Sequence, residues 1–315
     1  MIRTTGIHKR FGQVHALRGV DLEVSRGEVL GLLGHNGAGK TTLINVLSTL
    51  YPLTSGSAEV AGFDVARDPR SVRGRIGVTG QFAALDEALS GTGNLVLVAR
   101  LSGATRRQAR QRAADLIEAF DLTHAANRPA RTYSGGMRRR LDLAIGLVSR
   151  PDVLFLDEPT TGLDLPSRRS LWHMVEELTA AGTTVLLTTQ YLDEADRLSD
   201  RITVLGEGQV IASGTAAELK GSTCTGSVFL RLAGDCTPDE AARTLATGGL
   251  RPTVDHDDRS VSVPAVASTE LAVVVRLLDA AGQEVAEIRY REPSLDDVYL
   301  ALIGDGAQTS VQEPV

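Results

Sequence analysis

The chain has 315 residues, too many for one typical hydrophobic core and enough for a large domain with a smaller appendage. Its composition, 42% hydrophobic and 23% charged, is that of an ordinary globular protein, and a net charge of -6 argues against a general nucleic-acid binder. No apolar stretch approaches the ~20 residues of a membrane span, so the chain is not expected to cross a bilayer alone.

The first residues, Met1-Ile2-Arg3-Thr4-Thr5-Gly6, run into charged sequence without the apolar core of a secretory signal, and a cytosolic location is expected. Gly27-Glu28-Val29-Leu30-Gly31-Leu32-Leu33 reads as a short strand, and Lys40 to Leu50 carries leucine and isoleucine at helical spacing. Between them lies Gly34-His35-Asn36-Gly37-Ala38-Gly39-Lys40-Thr41, a glycine-rich loop in the strand-to-helix context of a phosphate cradle. A turn at Thr54-Ser55-Gly56-Ser57 leads into Ala58 to Gly62, read as part of a small antiparallel sheet beside the main one. Arg75 to Thr79 is another short strand, ending at Gln81. From Asp86 to Phe120 the abundance of alanine, leucine and arginine predicts a helical insert. Tyr133-Ser134-Gly135-Gly136-Met137 then opens a helical run that reaches Ser149. Apolar strands return at Val153 to Asp157, Thr184 to Thr189 and Arg201 to Leu205, alternating with helices such as Pro166 to Ala181. That alternation predicts an α/β fold, a parallel sheet covered by helices.

Past Gly221 the texture changes. Strand-like Val228 to Leu230, helix-like Asp239 to Leu245, a strand pair near Pro252 to Pro264, helix-like Thr269 to Ala281 and strand-like Val285 to Tyr290 predict a small α+β domain. Ser294-Leu295-Asp296-Asp297 resembles a capping box, and Leu295, Val298, Tyr299 and Leu302 share one face of a helix expected to dock on its own domain. The division expected is therefore 1–220, 221–304 and a frayed tail at 305–315. Cys224 and Cys236 lack CxxC spacing and nearby histidines, and are expected to be free thiols.

The chemistry concentrates in three segments. The glycines of the first loop let the backbone wrap a polyphosphate with its amides inward, Lys40 reaches the terminal phosphates, and Thr41 is placed to ligate Mg2+. The following helix adds its positive end. Asp157 and Glu158 close an apolar strand expected to lie beside the loop's strand, at the carboxyl ends where ligands of open α/β sheets gather. Asp157 would help hold Mg2+ and Glu158 would polarise the attacking water. Taken alone, this acidic pair reads equally as a turn or a helix cap. Ser134-Gly135-Gly136 begins a helix and forms a second anion site, with the Ser134 hydroxyl as donor; taken alone it reads as a serine N-cap. Together the three segments describe a nucleotide sandwiched between two subunits. The Arg138-Arg139-Arg140 run reads as a solvated helix face.

Over residues 1–220 these segments resemble the ATP-binding cassette family. Tyr133 to Met137 is similar to that family's signature, with tyrosine and methionine in place of the commoner leucine and glutamine. Gly162-Leu163-Asp164 is similar to its D-loop, Gln81 to its Q-loop and Phe11 to the aromatic that stacks on adenine; a core aromatic is the other reading of Phe11. The resemblance implies a P-loop ATPase with a parallel-sheet core, an antiparallel β subdomain and a helical subdomain. It implies ATP and Mg2+ as cofactors, with nucleotide contacts from Phe11, Gly34, Asn36, Gly37, Ala38, Gly39, Lys40, Thr41, Thr42, Gln81, Ser134, Gly135, Gly136 and Asp164. The metal would rest on Thr41, Gln81 and Asp157, and catalysis on Glu158 and residue 190. The signature of one subunit would close on the ATP held by the other, so the working unit implied is a homodimer.

The chain departs from the family at Gln190, where a histidine usually contacts the terminal phosphate. A glutamine amide donates a hydrogen bond but carries neither proton nor charge. Tyr133 to Leu141, Gln190 to Asp196 and Pro293 to Gly304 are similar to the daunorubicin-resistance type of cassette subunit, which extends the resemblance over nearly the whole chain. That type pairs with a separate membrane permease to export drugs, and the resemblance implies a peripheral position on the cytoplasmic face of the membrane. Two alternatives are less well served. A soluble cassette ATPase acting on ribosomes or DNA usually joins two cassettes or carries a long coiled-coil insertion, and a small-molecule P-loop kinase leaves Ser134-Gly135-Gly136 without a role.

Overall fold

The computed structural model describes residues 1–80, 85–223, 226–233, 236–265 and 268–308, with the backbone alone at 222, 223 and 303–308. The chain forms two compact units, Met1–Ala216 and Ala217–Val315.

The first unit opens on two long strands, β1 (Ile2–Phe11) and β2 (Val14–Val24), whose roughly alternating burial gives each one covered and one open face. Next come β3 (Val29–Leu33), buried throughout, and α1 (Lys40–Leu47). With β4 (Ser55–Val60) and β5 (Phe63–Asp64) the first two strands complete an antiparallel sheet of order β2-β1-β4-β5. The short α2 (Pro69–Arg73), capped by Asp68, leads to β6 (Ile76–Thr79). The helical insert resolves into α3 (Gly91–Leu101) and α4 (Arg106–Ala119), followed by α5 (Gly135–Gly146). The break between α3 and α4 has a local cause: Thr105 and Gln108 cap each other's backbone and start a new helix.

Next come β7 (Val153–Asp157), α6 (Leu165–Ala180), β8 (Thr184–Thr189), α7 (Leu192–Leu198), β9 (Arg201–Gly206) and β10 (Gln209–Gly214). The central sheet has the order β10-β9-β3-β8-β7-β6, parallel from β9 to β6, with β10 antiparallel at one edge. Because β3, β7 and β8 are buried at every position, their sequences carry apolar runs rather than alternation, broken only at the ends by Asp157 of β7 and by Thr184, Thr188 and Thr189 of β8. Contrary to the sequence expectation, β7 does not pair with β3. The equally buried β8 lies between them, pairing Thr189 with Leu33 on one side and Thr188 with Asp157 on the other.

The second unit comprises most of α8 (Ala216–Thr223), then β11 (Ser227–Leu232), α9 (Pro238–Thr247), β12 (Thr253–Asp255), β13 (Ser260–Pro264), α10 (Leu271–Ala280), β14 (Val285–Arg291) and α11 (Leu295–Gln308). Its sheet has the order β12-β13-β11-β14 with every pairing antiparallel, the ferredoxin-like split βαβ arrangement. Val228, Leu230, Val261 and Val263 of the strands are buried in one cluster with Leu245 of α9 and Leu278 of α10. The Ser294 box expected from sequence is present, with the Asp297 carboxylate accepting from the Ser294 amide at 2.9 Å. Cys236 is a free thiol; Cys224 lies outside the described residues.

Candidate functional site

The carboxyl ends of β3, β8 and β7 stand in register, and most of the chemistry selected from sequence collects beyond them. The loop after β3 enters α1 through Gly39, whose φ of 106° is a left-handed value. A Cβ there would stand 2.7 Å from the Ala16 carbonyl oxygen, and one at Gly34 would stand 2.5 Å from that of Leu205, so both positions require glycine. Lys40 folds back over the loop. Its Nζ donates to the Gly34 oxygen at 2.6 Å and the His35 oxygen at 3.1 Å, and lies 3.6 Å from Glu158 Oε1. Burial pulls this ammonium below its usual range, opposed by the nearby Glu158 and Asp157 carboxylates.

Asp157 is buried, and its Oδ1 accepts from Thr41 Oγ1 at 3.2 Å and from Thr188 Oγ1. A threonine hydroxyl beside a carboxylate is a hard-oxygen donor pair that suits Mg2+. Among the described residues no group of three or more His, Cys, Asp or Glu could hold a metal, so a cation on Thr41 and Asp157 would draw its other ligands from water and phosphate, as Mg2+ does. Glu158 follows in the left-handed region at φ 48°, its amide donating to the Thr188 carbonyl at 3.1 Å and hydroxyl at 3.0 Å. Its Oε2 accepts from Thr161 at 3.3 Å.

A cavity of about 440 Å3 over the loop brings Asn36, Gly37, Gly39, Lys40, Thr41 and Thr42 together with Glu158, and is also lined by Val14, His15 and Ala16 of β2. Gly34 and Ala38 are buried residues of the same loop. Phe11, Ser134, Gly135, Gly136, Asp164 and Gln190 do not line this cavity. A larger groove, about 1020 Å3, lies beside β6 among α3, α4 and α5, and none of the residues selected from sequence lines it.

Phe11 ends β1 at 43% exposure, edge-on to Tyr51 with ring centroids 5.4 Å apart, and Lys9 Nζ sits 4.7 Å from its ring. It is not a core aromatic. Ser134 caps α5, accepting from the Met137 amide at 3.3 Å, and open space surrounds Gly135. Asp164 caps α6, accepting from the Ser167 amide at 3.2 Å; the Ser167 hydroxyl first, and then this amide, hold its carboxyl below the usual range. Gln190 stands exposed just past β8. Gln81 lies outside the described residues.

The reading of Arg138-Arg139-Arg140 as a solvated face fails at its middle residue. Arg139 is largely buried and donates to the carbonyls of Pro159, Gly80 and Asp157 at 2.6, 3.2 and 3.3 Å, and to Asp142 Oδ2 at 3.0 Å. Burial pushes the Asp142 carboxyl up to about 6, with Arg139 acting against the rise. Thr188, which binds both Asp157 and the Glu158 amide, was also missed, as was Glu194, fully buried with Trp172 Nε1 donating to it at 3.1 Å. Asp142 held the available signal: a carboxylate set between Leu141 and Leu143 on a helix needs a buried partner, and the residue three positions earlier is Arg139.

The ABC transporter family profile matches residues 17–161. The daunorubicin resistance ATP-binding protein DrrA3 of Streptomyces coeruleorubidus is 52% identical over 96% of both chains. The doxorubicin resistance ATP-binding protein DrrA of Mycobacterium tuberculosis is 47% identical over 96% of this chain and 94% of its own. The chain belongs to the ABC transporter family. It is an ATPase of the ABC type and binds nucleotide. Among solved structures, a dimeric bacterial ABC transporter cassette superposes with a TM-score of 0.63 at 25% identity, covering 68% of this chain and 98% of that one. No helix among the described residues of this ABC ATPase is long and apolar enough to cross a membrane.

Proposed function

We propose that this ABC ATPase powers the efflux of a drug, antibiotic or other hydrophobic compound through a separate membrane permease, from a peripheral position on the cytoplasmic face. The resistance proteins DrrA3 and DrrA, alike over nearly their full length, support the cargo class. The observation that carries the mechanism is the separation of two anion-binding helix starts. One lies in the cavity with Lys40 and Glu158; the other, at Ser134, lies outside it. A second copy presenting Ser134, Gly135 and Gly136 to the first copy's cavity would use both on one nucleotide, which is the homodimer this reading requires.

Within each site, Lys40 would exchange its carbonyl partners for phosphate oxygens, since a phosphate is the stronger acceptor. The loop amides from Gly34 to Thr42 would hold the triphosphate, and Phe11 would offer its exposed face to adenine. Mg2+, held by Thr41, Asp157 and Gln81, would supply charge neutralisation between the phosphates. Glu158 would take the proton of the attacking water, Gln190 would donate to the terminal phosphate, and Asp164 would serve the closed interface. ATP binding closes the dimer and hydrolysis reopens it, driving the permease between two states. The test is to purify the chain with the membrane protein it binds and screen hydrophobic compounds for stimulated ATP turnover. Stimulation by a subset of amphipathic drugs is expected; turnover indifferent to every compound and to the membrane protein would overturn the export reading.

A further inference from the structure

Glu158 is a non-glycine residue held in the left-handed region at φ 48°. Such a conformation persists only where its surroundings over-determine it. Its own amide is fixed by Thr188. The carbonyls of the two residues flanking it are held by a different element: Arg139 of α5 donates through Nη2 to the Asp157 carbonyl, which shares a peptide group with the Glu158 amide, and through Nε to the Pro159 carbonyl. The same guanidinium reaches the Gly80 carbonyl, adjacent to Gln81 in the chain, and is anchored on its own helix by Asp142. Four acceptors on three segments thus converge on one planar fork, a task a lysine ammonium cannot reproduce. None of these contacts touches the glycine-rich loop.

We propose that Arg139 is a positioning residue for hydrolysis, one that sets the direction of the Glu158 carboxylate and ties it to the helix that begins at Ser134. This deepens the reading of Glu158 as the general base and rests on it. Because α5 begins with the residues proposed to meet the partner's nucleotide, the base serving one ATP moves with the helix serving the other. Arg139 therefore links the two composite sites of a dimer through rigid contacts within each subunit.

The experiment compares Arg139→Gln, the double variant Arg139→Gln with Asp142→Asn, and Glu158→Gln, measuring ATP affinity by equilibrium titration and kcat and KM by phosphate release. The double variant removes the carboxylate that the single one leaves buried and unpaired, so it separates positioning from simple charge pairing. The expected result is a kcat lowered about tenfold or more in the double variant, with ATP affinity within about twofold of wild type, since the interaction lost acts on the reacting geometry and not on binding. Wild-type kcat in the double variant would mean that Arg139 serves only to neutralise Asp142, and a double variant that no longer binds ATP would mark it as general scaffold; either result overturns the proposal. Glu158→Gln separates the two readings: if it turns over normally the general-base reading falls, whereas if it is inactive and the double variant is not, only the role of Arg139 falls.

Discussion

At the scale of single residues, Lys40 is one of three lysines in an arginine-rich chain, and its ammonium is held by two loop carbonyls and Glu158. Lys40→Ala removes the cation proposed to meet the phosphates. Truncating one partner of a buried charge pair costs about 2–5 kcal/mol, so the Kd for ATP is expected to rise about 30-fold or more. Equilibrium titration with ATP checks this, and wild-type affinity in the variant would dismiss the phosphate-cradle assignment. Lys40, Asp157 and Glu158 were legible in the sequence because a loop between strand and helix, and an acidic pair ending an apolar run, reveal both residue and direction. Arg139 was misread, its signal lying in Asp142 and not in the arginine run itself. A run of three arginines shows charge without orientation, and only the helical period places residue 139 on the buried face with Leu143 and Gly146 while Arg138 points outward.

At the scale of elements, the start of α5 has two candidate duties, capping its own helix and binding a phosphate. Ser134 performs the first, accepting from the Met137 amide. The two duties separate in Ser134→Gly, because glycine at an N-cap costs only a few tenths of a kcal/mol yet carries no hydroxyl. Losing a hydrogen bond to a charged group costs about 1.5–3 kcal/mol, so turnover is expected to fall about tenfold to a hundredfold while the melting temperature stays near that of wild type. Thermal denaturation beside an ATPase assay decides it, and unchanged turnover would leave Ser134 as a cap alone. The parallel strands of the main sheet were legible as elements because covered parallel strands carry apolar runs, whereas the antiparallel edge strand β10 was not read. Their order was not, since β3, β7 and β8 have the same texture and only the crossover connections decide which is central. The strands over residues 2–24 were not read, although Val20 to Val24 alternates in sequence and in burial; between Thr4 and Arg10, register shifts in the pairing of β1 with β2 blur the period of two.

At the scale of the whole molecule, the chain has a loop cavity lined by Lys40 and Glu158 and, outside that cavity, the start of α5 proposed to meet a partner's nucleotide. A two-fold dimer that pairs each cradle with the partner's signature makes two identical sites, each composed of both chains. Mixing is the discriminating measurement. A Lys40→Ala chain and a Ser134-defective chain, assayed alone at an ATP concentration below the raised Kd, are each expected to keep only a few per cent of wild-type turnover, because every site in their homodimers lacks one part. In a mixed dimer both defects fall on the same site and leave the other intact, so an equal mixture is expected to recover about a quarter of wild-type turnover if exchange is random and the sites run independently. Recovery well below that value, yet above the sum of the separate chains, is what rigid coupling through Arg139 adds, since a damaged site then restrains its neighbour's base. A mixture no more active than its components would show that the cradle and the Ser134 helix never serve one nucleotide, and the dimer on which transport depends would have to be abandoned.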